Sequence, residues 1–399
     1  MMRPLRLIGL TSLVVFAGCS KDEQGTGMGQ SHEEGTGIEA RPYVTEYEEM
    51  YATRTWEAPT RAAWTPPSPY VSYNDLTHKG LNQKDLSLES IGVFFSKDDA
   101  EPMEGIFFYQ NSKWHLKNKD NEDVNAGDYY LYGYIPREDA KSASIVPNGT
   151  YSNGAVLTIK ELNSLTQSDV CIIVGAKEGT DDQTVTGLQT GSFLTHLNPT
   201  SGVGNHNYIF LLFEHLYSAL RFNFTIDASY ADLRTIKIRK LELVSYSDDN
   251  GGIVRAKYDA VITLQKTTGA SPIVGNVHFI PDENSAPVAP KEIYNWHENP
   301  ANYVTLTTST PSTFMACFVP GENTYFKLRT TYDVFDREDV LIRQECQAEN
   351  TIDLRNSFDQ ALLSASRGHC FSYTIKVQPT YAYQLSNNDI DNPELKISE

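Results

Sequence analysis

Basic charge is in short supply in this 399-residue chain: 33 Lys and Arg face 51 Asp and Glu, a formal net charge of −18. Such a surface repels nucleic acid and anionic lipid headgroups, so nucleic acid is not an expected partner. Cysteine is scarce as well, five residues in all, with no Cys-x-x-Cys pair. That spacing would have suggested a zinc or redox motif. Cys171, Cys317, Cys346 and Cys370 leave three disulfide pairings open, beside the alternative of buried free thiols. Past the N-terminal segment no apolar run reaches the length of a membrane-spanning helix. Catalytic motifs are missing too. The sequence holds no glycine-rich phosphate loop, no pair of zinc histidines on a helix and no Gly-x-Ser-x-Gly elbow. Asp389, Asp391 and Asn392 lack the residues that would complete a calcium loop. Carboxylates are so common that no pair singles itself out for glycoside chemistry. Neither enzymatic activity, nor a cofactor, nor a metal is therefore expected.

What is abundant is strand-forming sequence. Tyr and Phe number 23 and 17, and with Val, Ile and Thr they favour β-structure. The central stretch opens with Tyr208-Ile-Phe-Leu-Leu-Phe213, an apolar run of strand length that predicts burial on both faces. Leu220, Phe222, Phe224 and Ile226 then alternate with polar residues and share one face of a pleat. Ile236 and Ile238 continue in phase, but Leu241 and Leu243 fall out of it, which predicts a β-bulge at Arg239–Lys240. Further strands are expected at 91–95, 106–109, 129–135, 156–159, 170–174, 258–264, 303–306, 314–319, 326–334 and 371–377, with a hairpin entering Val340–Ile342. Residues 158–169 read as able to hold a helical turn. Short strands with polar connections suggest β-sandwiches. The Thr-, Asn-, Ser- and Gly-rich run 191–205 is the best domain boundary. Glu214-His215 invites an acid/base reading, yet a hydrogen-bonded structural histidine after a buried run is the better one. The aromatics of 129–134 fit core and sheet surface better than a sugar site.

The beginning of the chain reads as an address. Arg3 and Arg6 precede an apolar run, Leu7 to Ala17, too short to cross a bilayer. Phe16-Ala17-Gly18-Cys19 resembles a bacterial lipobox, with Phe16 where Leu is usual. Residues 1–18 are then a lipoprotein signal peptide and Cys19 the lipidated N-terminus, which attaches the chain to the outer membrane. Lys21-Asp22-Glu23 resembles the signal that sends some lipoproteins to the outer surface. Residues 19–42 are expected to be a flexible tether. Arg54 and Arg61 lie on an extended, proline-flanked stretch of the kind that Arg-specific proteases cut.

Taken in order along the chain, Ser90–Phe95, Tyr129–Pro136, Asp169–Gly175, Leu211–Tyr217 and Tyr325–Asp336 resemble the fimbrillin family, lipoprotein-exported subunits of type V pili. The resemblance implies an all-β fold of two transthyretin-like β-sandwich domains in tandem, 43–204 and 205–399, after the signal and tether. It implies a structural or adhesive subunit of a cell-surface fimbria, without catalysis. In that family an Arg-specific protease removes an N-terminal strand, here after Arg61 or Arg54, the strand lying within Tyr43–Thr53. A neighbouring subunit then fills the groove by β-strand addition. The donor candidates are Tyr381, Tyr383 and Leu385 with Leu395 and Ile397, interrupted by the polar 386–392, so the tail is also able to finish its own sheet. Partners would be other fimbrial subunits and a host or microbial surface ligand. The competing reading is a monomeric surface glycan-binding lipoprotein.

Overall fold

In a computed structural model the chain is all-β. The structure describes residues 38–51, 70–72, 86–118, 125–179, 189–197, 207–266, 274–296, 304–321, 323–357, 367–378 and 394–398. Strands β1 to β8 are Ile38–Thr45, Glu48–Tyr51, Tyr70–Ser72, Ser90–Ser96, Met103–Gln110, Lys113–Asn118, Gly127–Ile135 and Ser142–Asn148. β9 to β16 are Thr150–Asn163, Leu165–Thr166, Cys171–Gly179, Leu194–Leu197, Asn207–His215, Ser218–Ile226, Thr235–Tyr246 and Lys257–Gln265. β17 to β24 are Val274–Pro281, Lys291–Asn295, Val304–Thr305, Ser312–Phe318, Tyr325–Phe335, Leu341–Asp353, His369–Gln378 and Glu394–Ser398.

The first sheet closes on itself. β11, β13, β1, β6, β5, β4 and β7 are hydrogen-bonded in that order, and β7 pairs back to β11 through Ile135↔Cys171 and Tyr134↔Ile172. Closure leaves the ring without a free edge, the usual liability of an open sheet. Its interior is filled by alternate side chains, among them Val93, Phe107, Trp114, Leu131 and Ile173. β13 contributes Ile209, Leu211 and Phe213 to that interior, while Leu212 faces a second core outside the ring. The uninterrupted apolar run is thus buried on both faces, as its composition predicts.

A sandwich follows. The sheet β10-β20-β14-β23-β2, with β24 also on β23, faces the sheet β18-β15-β21-β22, with β19 on β15. Leu220, Phe222 and Phe224 of β14 meet Ile236, Ile238 and Leu241 of β15 in one core. The register of β15 against β21 shifts between Ile238 and Lys240, so a bulge at Arg239 restores the phase of Leu241 and Leu243. Arg239 itself is buried, bonded to Asp333 at 2.8 Å and lying 4.6 Å from the Trp296 ring centroid. Asp227 caps the single helical turn α1, Ala228–Ala231, between β14 and β15.

The fourth sheet, β17-β16-β9-β8, covers the second core, where Leu157, Ile159 and Ile262 meet Val174, Leu212 and Met315. Several pairings cross position 204/205: β1 and β11 pair with β13, β9 with β16, β10 with β20 and β2 with β23. Residues 38–42, placed in the tether on composition, form the first half of β1. Residues 158–169 hold no helical turn; 158–163 are the end of β9 and 165–166 are β10. A register shift opposite Tyr258–Ala260, with Glu161 at φ 57°, breaks the alternation there and hides the strand from pattern reading.

Candidate functional site

The most unusual strand is the first. β1 runs parallel to β13 from Ile38↔Asn207 to Val44↔Phe213, and antiparallel to β6 at Glu39 and Ala40 and to β3 at Tyr43–Thr45. It is the stave that closes the ring between β13 and β6. Pro42, which has no N–H to give, falls between the β6 and β3 pairings. Ile38, Ala40 and Val44 are buried in the ring, and Tyr43 packs outward on the second core. Arg41 lies 4.3 Å over the Tyr208 ring, and Glu39 accepts from Lys113 at 2.9 Å.

Between β1 and β2 the chain passes over a buried polar cluster. Tyr47 stacks on the His215 imidazole at 3.8 Å and donates to Asp169 Oδ1 at 2.6 Å. His215 Nε2 is 2.6 Å from the Thr45 carbonyl; Nδ1 is 2.8 Å from Asp169 Oδ2 and 3.5 Å from Cys171 Sγ. Cys317 Sγ lies 3.5 Å from the Tyr47 hydroxyl. Burial, and then the Asp169 carboxylate, push the Tyr47 phenol and the Cys171 thiol well above their ordinary ranges. Both therefore keep their protons at neutral pH.

β2 crosses to the sandwich and pairs parallel to β23, Glu48↔His369 to Tyr51↔Ser372. Met50 enters the sandwich core, Glu49 pairs with Arg221 and accepts from Ser372 at 2.7 Å, and Glu48 is 3.2 Å from His369. The same edge of β23 carries β24 further along, Thr374↔Ser398 to Gln378↔Glu394. One terminal segment thus spans ring and sandwich.

Of the residues singled out in the sequence, Leu395 is buried against the sandwich core and Ile397 is half-buried beside it, opposite Val377 and Ile375. Cys19, Arg54, Arg61, Tyr381, Tyr383 and Leu385 lie outside the described residues. β2 ends three residues before Arg54. Cys171, Cys317, Cys346 and Cys370 are all buried free thiols. His215 is buried and bonded, and Glu214 is held by Arg367 at 2.8 Å. Tyr129, Tyr132 and Tyr134 are buried in core. Sequence reasoning missed the cluster, because Tyr47, Asp169, Cys171, His215 and Cys317 come from four separate stretches. The one local signal was Asp-x-Cys at 169–171.

Cys171, His215 and Asp169 have the composition of a nucleophilic triad but not its wiring. Thiol and carboxylate both face Nδ1, while Nε2 is committed to Thr45. A relay needs the nucleophile on one nitrogen and the orienting carboxylate on the other. Elsewhere a cleft of about 140 Å³ beside Tyr134, Glu104, Arg137 and Lys141 is below the range of roughly 300–1,000 Å³ that encloses small ligands.

No protein-family model and no curated protein matches the chain. Among solved structures it aligns with a candidate cell adhesion protein from Bacteroides fragilis at 10% identity and TM-score 0.41, covering 91% of this chain and 97% of the other. A fimbrial protein from Bacteroides vulgatus aligns at 11% identity and TM-score 0.29, over 78% and 92% of the two chains. The fimbrial anchor protein Mfa2 from Porphyromonas gingivalis aligns at 10% identity and TM-score 0.24, over 90% and 95%. These neighbours are fimbrial and cell adhesion proteins.

Proposed function

We propose that this chain is a structural or adhesive subunit of a cell-surface fimbria, exported as a lipoprotein through Cys19 and assembled by strand exchange. In this reading, proteolysis after Arg61 or Arg54 frees residues 38–51, and an extended segment of a neighbouring subunit takes their place. One observation carries it: β1, which precedes both candidate cleavage sites, closes the ring between β13 and β6. Once cut after Arg54 or Arg61 the strand is joined to the rest of the fold by no peptide bond, so withdrawing it threads no other segment through the fold. Its loss would leave two strand edges beside an apolar trough, and such an edge recruits another strand. The β24 pairing fits a tail that lies on its own sheet until assembly. Cutting the purified full chain with an Arg-specific protease, followed by N-terminal sequencing and native mass measurement, tests the proposal. Chains beginning at Thr55 or Ala62 that form multimers are the expected result. Cut chains that stay monomeric with residues 38–51 still bound would overturn it, and glycan affinity in that monomer would favour the surface binder.

A further inference from the structure

The Asp169–Cys171–His215 cluster is explained neither by strand exchange nor by core packing. All three side chains are buried, and one ligand atom from each lies within 4.8 Å of the others. From this geometry we infer that the cluster is a binding site for one divalent transition-metal ion of the zinc class, set beneath Tyr47.

The arrangement of His215 points there first. Nε2 meets the Thr45 carbonyl at 2.6 Å, an acceptor, so that nitrogen carries the hydrogen. Nδ1 then faces a carboxylate oxygen and a sulfur. A metal-bound histidine shows the same division, its distant N–H given to a backbone carbonyl and its other nitrogen to the ion. The spacings point the same way. Tetrahedral zinc, with bonds of about 2.3 Å to sulfur and about 2.0–2.1 Å to nitrogen, sets those two ligands about 3.5–3.6 Å apart. Cys171 Sγ and His215 Nδ1 are separated by 3.5 Å. Nitrogen and oxygen ligands stand about 3.3 Å apart on zinc, whereas Nδ1 and Asp169 Oδ2 are 2.8 Å apart. That edge opens by about half an ångström on metal binding.

Charge balances in the filled site. Binding of a divalent ion releases the ligand protons to solvent, leaving one thiolate, one carboxylate and a neutral imidazole around the dication. The filled site therefore adds no net charge to the core, which removes the main penalty for burying an ion there. Tyr47 Oη, 2.6 Å from Asp169 Oδ1, borders the cluster and is at hand for a fourth position. The mixed sulfur, nitrogen and oxygen set suits zinc or cobalt and not magnesium or calcium.

The test uses the full chain, purified without chelator and then loaded with Zn(II) or Co(II) alone. Elemental analysis should find about one zinc per chain, and cobalt should produce a thiolate-to-metal absorption band in the near ultraviolet. Cys171→Ala should abolish the band, while Cys346→Ala, a buried thiol of the sandwich core, should leave it. Asp169→Asn, nearly isosteric, should keep the band and weaken affinity at least about tenfold. Far-ultraviolet circular dichroism confirms that each variant is folded. Folded chain with well under one metal per molecule and no cobalt band would overturn the inference, as would a band that survives Cys171→Ala. These readouts need no proteolysis, so they stand or fall apart from the assembly proposal.

Discussion

If residues 38–51 form a separable unit, weakening β1 should release that unit and leave the rest of the protein untouched. Val44 is the site at which to ask. It is fully buried in the ring and aligned with Phe213. Val44→Ala deletes two buried carbon atoms, worth about 0.8 kcal/mol each plus a residual cavity term, or about 2 kcal/mol. Applied to local opening, that is about a 30-fold larger opening constant, since 1.4 kcal/mol is about tenfold. Amide hydrogen exchange on the intact chain reads it directly. Amides of β1 and β2 should exchange about 30-fold faster than in the unsubstituted protein, while those of β9 and β16 keep their rates. Ile262→Ala, in the β16 core, should by contrast speed exchange in every sheet. The reasoning fails if Val44→Ala accelerates β9 and β16 in step with β1. The first strand would then leave only on global unfolding, and no protease could extract it from a folded subunit.

Other consequences follow from single contacts. A Cβ at Gly133 would sit 2.1 Å from the Gly92 carbonyl oxygen across the β4–β7 ladder, so Gly133→Ala should cost about 2–3 kcal/mol in urea denaturation; an unchanged midpoint would mean the two strands separate freely. Asp333→Ala strips buried Arg239 of its 2.8 Å partner and should cost about 3–5 kcal/mol, whereas a loss below about 1 kcal/mol would show that Glu345, at 3.4 Å, suffices alone. The hydrogen bond from Lys376, helped by Ser229, holds the Asp227 carboxyl down to about 2. Its folded pKa lies below the unfolded value of about 3.9, so its stabilisation is present above about pH 4 and is lost as pH falls toward 2. Partial exposure limits it to about 1 kcal/mol, and thermal melts of Asp227→Asn should lack that part of the acid slope.

Most of the strand content was legible in local pattern, and the bulge at Arg239 is the sharpest case. Two leucines out of phase with two isoleucines leave a strand only one way to keep all four inside. Ring closure was not legible, because β1 pairs with β13 across more than 160 intervening residues and no local period encodes a partner that distant. Residues 38–42 are too short and too polar in their flanks to announce a strand; the carbonyls and amides of β13 recruit them. The Asp169–Cys171–His215 cluster escaped for the same reason, since it exists only once β11, β13 and the β1–β2 connection are stacked. His215 is the buried, hydrogen-bonded histidine that its place after an apolar run predicts, but its partners Asp169, Cys171 and Tyr47 are neighbours only in space.

β23 has a consequence of its own. Its outer rail is shared end to end, the first half lined by β2 and the second by β24. Residues 48–51 and 394–398 therefore meet on one strand, and lifting the former uncovers rungs directly beside the latter. A chain cut after Arg54 or Arg61 would present an open strand edge at that spot, next to β24.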